Sequence, residues 1–309
     1  MARTNISPDL SVTIGRLRLK NPVMVASGTF GFGEEYRDFL DVNHLGGIVS
    51  KGISLRPVAG NPPPRIFETE GGMLNAIGLQ NPGLEAFVAE KLPYLRTLKT
   101  CVIVNFFGSS QKEYVALAKR LDDLPGIGGL EMNVSCPNMH RGGILFCTDT
   151  RMTYRLVRAV RKATTRTLVV KLSPNVTDIA SMAESAEEGG ADAVSLVNTF
   201  KAMAINIHTR KPELGNVFGG LSGPGIKPIA LRMVWEVSQR IRIPIIGIGG
   251  IRKAEDAIEF VLAGASAIQI GTANFVRPTT GIEVIEGIKT YLTENRIQRF
   301  QDLIGLFAL

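Results

Sequence analysis

The segment Ile243–Ala273 reads IPIIGIGGIRKAEDAIEFVLAGASAIQIGTA. It is an apolar run, a helix-patterned stretch and a second apolar run, each apolar run closing on glycine. Val- and Ile-rich runs this short, bounded by glycine, predict buried parallel strands over Ile243–Ile248 and Ala267–Gly271, with a helix over Ala254–Ala263 between them.

The same unit recurs toward the N-terminus. Further apolar runs occupy Val23–Ala26, Gly47–Lys51, Cys101–Phe106, Leu130–Val134, Thr167–Leu172 and Ala193–Asn198. Helical patterns fall at Glu34–Leu40, Gly83–Leu95, Ser110–Leu121, Arg151–Thr164, Asp178–Glu188, Ile226–Arg240 and Thr280–Glu294. Eight strand–helix repeats over about 250 residues predict a (β/α)8 TIM barrel. Val12–Leu19, centred on Gly15, reads as an N-terminal hairpin under the barrel. No linker or shift in composition divides the 309 residues, so the expectation is one barrel domain over 1–309.

Composition narrows the class. Apolar residues make up 45% and charged residues 20%, enough for a full core and unlike a disordered chain. The formal charge of +7 suits a solvated basic surface or attraction of anionic ligands. Lys and Arg are scattered, which argues against a nucleic-acid partner. The three cysteines, Cys101, Cys136 and Cys147, show no CxxC spacing, so neither a disulfide framework, a zinc site nor an iron–sulfur cluster is expected on this chain. The N-terminal segment has no apolar signal region and no run of about 18 apolar residues occurs, so the expected location is cytoplasmic, away from membranes.

Chemistry concentrates where the predicted strands end. IGG (Ile248–Gly250) and IGT (Ile270–Thr272) close the seventh and eighth strands, the usual phosphate-binding loops of this fold. The plain alternative is two tight strand–helix turns. Lys51 and Lys171 end strands that should be buried, and a buried lysine calls for an anion or a salt bridge. Asn105, Asn133 and Asn198 place amides at three further strand ends, suited to a flat polar ligand. Cys136, in EMNVSCPN (Glu131–Asn138), falls just beyond the fourth strand among polar residues. Cys101 reads as core. His44, His140 and His208 lie in loop or helix contexts, so a Ser–His–Asp triad or a histidine metal site is unsupported. Long connections at Gly52–Asn81, Pro137–Thr148 and Thr199–Gly220 all follow strands, and such loops are commonly lids or binding loops. Pro137–Thr148, with Gly142-Gly143, reads as a lid.

With these motifs the chain closely resembles the class 1 dihydroorotate dehydrogenases. The matching segments are ASGTFGFG (Ala26–Gly33), SKG (Ser50–Gly52), GNPPPR (Gly60–Arg65), MLNAIGLQNPG (Met73–Gly83), NVSCPN (Asn133–Asn138), VVKLSPN (Val169–Asn175), VNT (Val197–Thr199), GGLSGP (Gly219–Pro224), IGGI (Ile248–Ile251) and IGTA (Ile270–Ala273). The membrane-associated class 2 enzymes have an N-terminal extension and a serine base, neither of which this chain shows. Its wording at NAIGLQNPG, TFGFG and TRKP (Thr209–Pro212) is similar to the subclass 1B catalytic (FMN) subunit. Arg141 and Cys147 depart from the usual wording, in the Cys136 loop.

The resemblance implies a set of roles. Oxidation of (S)-dihydroorotate to orotate in pyrimidine biosynthesis is the implied activity, with FMN as cofactor. FMN contacts are implied for Ser27, Lys51, Gly52, Asn105, Asn133 and Lys171. The same holds for Val197, Gly223, Gly249, Gly250, Gly271 and Thr272. Substrate contacts are implied for Lys51, Asn75, Ala76, Ile77, Gly78, Leu79, Asn133, Asn198 and Thr199. Cys136 is the implied base. Implied partners are a subunit carrying FAD and an iron–sulfur cluster, which passes electrons to NAD, and a second copy of the chain within a heterotetramer. The alternatives are a fumarate-using homodimer of subclass 1A and another FMN barrel, such as a tRNA dihydrouridine synthase.

Overall fold

A computed structural model of the chain describes residues 7–134 and 148–308. Eight parallel strands close into a barrel: β1 Val23–Val25, β2 Gly47–Val49, β3 Cys101–Phe106, β4 Gly129–Asn133, β5 Thr167–Lys171, β6 Ala193–Leu196, β7 Ile245–Ile248 and β8 Ala267–Ile270. Neighbours in sequence are neighbours in space, and β8 pairs with β1 to close the ring. All eight lie within the expected runs to a residue or two. Every residue of β4 to β8 is buried, as expected of strands packed on both faces.

Helices cover the outside. Thr150–Arg161 packs on Ile179–Glu188, and Ala254–Leu262 on Thr280–Glu294. Ser110, Asp149 and Asp178 cap three of them, each accepting from a backbone N–H three residues on, which satisfies otherwise orphaned donors. The caps also explain why Ser110 and Asp178 stand just outside helices expected to include them.

Three expectations need correction. Glu34–Leu40 is not an α-helix but a single 3-10 turn, Glu34–Tyr36, followed by a second at Val42–His44. There Glu35 turns its carboxylate back onto the Phe32 N–H, Tyr36 stacks on Phe30 at 3.8 Å, and Tyr36 donates to the Thr29 carbonyl. These tertiary contacts wrap the segment into a knot too tight for a helix. Within Gly83–Leu95 the helix passes through a π-turn at Phe87–Lys91, just ahead of Pro93, whose missing N–H interrupts the ladder.

The largest correction concerns Gly52–Asn81 and Thr199–Gly220, expected as loops. They carry a four-stranded antiparallel sheet in the order Phe200–Ala202, Gly219–Ser222, Gly72–Asn75, Ile66–Thr69. A two-residue ribbon, Ile205–Asn206 with Lys211–Pro212, extends beyond it. The strands are short and only partly buried, so they lack the apolar runs that betray the barrel strands. Leu74, Ala76 and Leu214 form a small core of their own beneath the sheet. The hairpin was nonetheless readable: IFET and GMLN flank the two-residue turn Glu70-Gly71, with Thr69 opposite Gly72.

Under the barrel, Val12–Ile14 and Leu17–Leu19 form the expected hairpin. Gly15 turns it at φ +57°, and a Cβ there would lie 2.8 Å from Thr167 Cγ2. Leu17 seats against Gly129, and the Arg16 N–H donates to Thr167 Oγ1 at 3.0 Å. The hairpin thus plugs the starting ends of β4 and β5.

Candidate active site

At the opposite end, polar groups enter the barrel itself. Glu131 on β4 is fully buried. Its Oε1 accepts from Asn105 Nδ2 on β3 at 2.7 Å, and its Oε2 from Ser195 Oγ on β6 at 2.9 Å and Gln269 Nε2 on β8 at 2.8 Å. Lys171 Nζ on β5 lies 3.7 Å from Oε1, forming a buried ion pair. Strand register sets this up: Lys171 stands opposite Asn133 on one side and Ser195 on the other.

The amides gather as the sequence suggested. Asn198 Nδ2 reaches Asn133 Oδ1 at 3.5 Å, and the Thr199 N–H donates to Asn198 Oδ1 at 2.8 Å. Tyr114 donates to the Asn133 carbonyl at 2.7 Å, holding that strand end from the helix side. Asn105 Oδ1 lies 2.8 Å from where a Cβ on Gly52 would stand, so Gly52 and Asn105 are in direct contact and a larger residue would have to displace the amide. Lys51, the residue before, is half-buried. Burial lowers its pKa from the ordinary 10.5, Glu35 counters that shift and Arg65 adds to it.

A glycine rim closes the far side. A Cβ on Gly250 would lie 2.9 Å from the Gly223 carbonyl and 3.0 Å from the Lys227 N–H nitrogen, and its φ is +73°. A Cβ on Gly249 would approach Val197 Cγ2 at 3.6 Å. Gly271 stands beside Ala26, just before Ser27, and Thr272 Oγ1 donates to Ser222 Oγ at 2.8 Å. Val197, Gly223, Gly249, Gly250 and Thr272 are therefore neighbours, while Ser27 joins Gly271.

The inserted sheet brings in Asn75–Leu79. Asn75 pairs with Gly220 and donates to its carbonyl at 3.2 Å, and Gly220 in turn packs directly on the Thr199 side chain. Asn61 pins the backbone beyond, donating from its N–H to the Ile77 carbonyl at 3.1 Å and from Nδ2 to that of Ala76 at 3.0 Å, while its own carbonyl accepts from Arg65 Nε at 2.5 Å. Gly78 and Leu79 both take positive φ, 74° and 59°, which turns the chain sharply. Cys136, and Pro137–Thr148 as far as Cys147, lie outside the described residues.

Against known proteins, the family model described as Dihydroorotate dehydrogenase matches residues 9–292. The chain belongs to the dihydroorotate dehydrogenase family. Relatives named "Dihydroorotate dehydrogenase B (NAD(+)), catalytic subunit" include one from Geotalea uraniireducens, 57% identical over 96% of this chain and 98% of its own length. Another, from Pelobacter propionicus, is 55% identical over 97% and 99%. A crystal structure of DHODH from Eimeria tenella in complex with ferulenol shares the fold, with a TM-score of 0.80 and 24% identity, covering 99% of this chain and 90% of that one.

For a dihydroorotate dehydrogenase, the polar residues that sequence reading passed over are Glu131, Ser195 and Gln269. Each sits inside a Val/Ile-rich strand, in LEMN, AVSL and AIQI, and that break in an apolar run is the signal that could have found them. Ser222, which meets Thr272, was hidden in a segment read as loop.

Proposed function

We propose that this chain oxidises dihydroorotate to orotate with FMN, as the catalytic subunit of an enzyme that delivers electrons to NAD. What supports the reading most is the buried polar cluster at the strand ends. Asn105 Oδ1, Gln269 Oε1 and Asn274 Oδ1 are buried without a hydrogen-bond partner, which in a native interior calls for an explanation, and for the two at the barrel strands a ligand supplies one. A flat heterocycle with N–H donors fits those acceptors. The Gly223–Gly250–Thr272 rim suits a phosphate, because bare backbone there allows close approach. The residues present therefore fit FMN, and the rim, Ser27, Lys51, Gly52, Asn105, Asn133, Lys171 and Val197 would hold it. Bound FMN supplies the acceptor for the hydride leaving C6 of the substrate.

The chain's own residues do the rest. Lys51 offers a cation to the substrate carboxylate, and Asn75–Leu79, Asn133, Asn198 and Thr199 supply the polar grip that orients the ring. Cys136 removes the C5 proton as a thiolate, with Pro137–Thr148 closing over it to exclude water. Lys171 places a positive charge where negative charge grows during the reaction.

The relatives' printed names supply the NAD acceptor, and the sequence offers no second redox centre. A partner subunit bearing FAD and an iron–sulfur cluster fits both facts, with two copies of this chain in a heterotetramer. The whole chain acts as one flavin-binding barrel in the cytoplasm; among the described residues no helix is long and apolar enough to cross a membrane. Steady-state assays test the acceptor. The isolated chain should turn over poorly with NAD and with fumarate, and coexpression with an FAD- and iron–sulfur-bearing electron-transfer subunit should restore NADH formation. Efficient turnover with fumarate would place the chain in subclass 1A instead.

A further inference from the structure

Glu131 has no place in the roles above, yet it is the hub of the barrel mouth. A carboxylate only accepts hydrogen bonds, and this one is surrounded by donors on four strands: Asn105, Lys171, Ser195 and Gln269. It engages the NH2 ends of both amides. Their oxygens are thereby turned the other way, and both are buried without a hydrogen-bond partner; the third such atom among the described residues, Asn274 Oδ1, lies outside the Glu131 cluster. Asn105 Oδ1 faces Gly52, at the mouth. Gln269 precedes Gly271 and Thr272 by two and three residues, on the strand that leads to the glycine rim. Asn105 and Gln269 use different oxygens of this carboxylate, so a glutamine at 131, with one acceptor oxygen, could not hold both amides in this sense and would strip Lys171 of this countercharge.

We infer that Glu131 is a positioning residue for the flavin: it fixes the polarity of the Asn105 and Gln269 amides, and its charge, set against that of Lys171, tunes the reduction potential. This rests on the FMN reading. Reduction adds negative charge to the flavin. A buried carboxylate at the barrel mouth would oppose that charge, and Lys171 would favour it. Together they hold the potential between the values either would impose alone.

The test is an anaerobic redox titration of the reconstituted holoprotein, with thermal melting of the same samples. Glu131→Gln should raise the ratio of affinities for reduced over oxidised FMN about tenfold, an upward shift of roughly 30 mV for a two-electron couple. Lys171→Met should shift it in the opposite direction. A merely structural role would lower the melting temperature and leave the potential where it was; an unchanged or lowered potential in Glu131→Gln overturns the inference. Breaking a buried pair is costly, so the single variant can fail to fold. Lys171→Met is then compared with Lys171→Met/Glu131→Gln, which lacks both charges. Adding Glu131→Gln must raise the potential from the Lys171→Met value, and equality of the two overturns the inference. A wild-type chain that neither carries nor takes up FMN refutes the FMN reading itself. A yellow wild type whose potential these variants do not move refutes only the role of Glu131.

Discussion

The two ends of this barrel are built from opposite materials. The floor is closed by a short hairpin with Ile14, Leu17 and Leu19 buried, Leu17 against Gly128 and Gly129 and Gly15 against Thr167 at the strand starts. The mouth buries a carboxylate, a lysine and several amides, and its connections are long enough to carry a second sheet. Apolar packing needs only shape, so the floor can be made of few residues. Buried polar groups need partners in fixed directions, so the mouth draws on four other strands to satisfy one carboxylate on β4. The floor serves stability and the mouth serves chemistry, a division common to this fold.

The cysteines put that contrast to its sharpest test. Cys101 starts β3 at the floor end, where burial pushes its thiol up to about 11. At that value it is a neutral, inert group near neutral pH. Cys136 follows the mouth end of β4 in the sequence and is the proposed base. Cys136→Ser should slow flavin reduction by dihydroorotate roughly 10²–10⁴-fold near pH 7, with residual activity rising with pH, because a hydroxyl is a much poorer base than a thiolate. Cys101→Ser should leave the rate nearly unchanged. Single-turnover stopped-flow measurements on both variants decide it, and near-wild-type rates in Cys136→Ser would remove the assignment.

A second pair separates folding from binding. Ile14→Ala empties a fully buried floor position and should cost about 2–5 kcal/mol of stability, read by chemical denaturation, with FMN affinity unchanged in the folded fraction. Gly250→Ala should do the reverse in emphasis. Its Cβ would press on the Gly223 carbonyl and the Lys227 backbone, so FMN affinity should fall at least roughly tenfold, measured by fluorescence titration of the apoprotein. Equal effects of both variants on stability and affinity would erase the division between the ends.

Much of the barrel was legible because buried parallel strands write themselves as apolar runs, and β3 agrees with its expected limits residue for residue. Lys51, Lys171 and the asparagines were legible for the complementary reason, as polar residues ending those runs. The four-stranded sheet was not, since Gly72–Asn75 and Gly219–Ser222 are glycine-rich and half-exposed, and their pairing is set by partners more than 100 residues apart in sequence. Nor was the Glu131 cluster, because one carboxylate in a strand does not reveal which amides on other strands will face it. The Glu34–Leu40 helix was misread where stacking of Phe30 on Tyr36 outweighed a weak local preference.

The smallest expected effect lies in pH. Burial lowers the Lys51 pKa, so the fraction carrying a charge falls at a lower pH than for an ordinary lysine. The sign follows directly: the cation is fully present well below its lowered pKa and is lost as pH rises through it, before the ordinary value of 10.5. Orotate affinity should therefore weaken on the alkaline side. Lys51→Arg, if it binds, should flatten that limb, since guanidinium stays charged. Isothermal titration across alkaline pH checks both, and a wild-type affinity constant throughout would detach Lys51 from the carboxylate.

The account's central claim is that the mouth holds a flavin and presents dihydroorotate to it. The visible spectrum of the purified chain, recorded without oxygen before and after dihydroorotate, tests this most directly. The account predicts a yellow protein whose flavin absorbance bleaches on addition, with about one orotate formed per flavin. A colourless chain that takes up no FMN, or a flavin that dihydroorotate leaves oxidised, would contradict it.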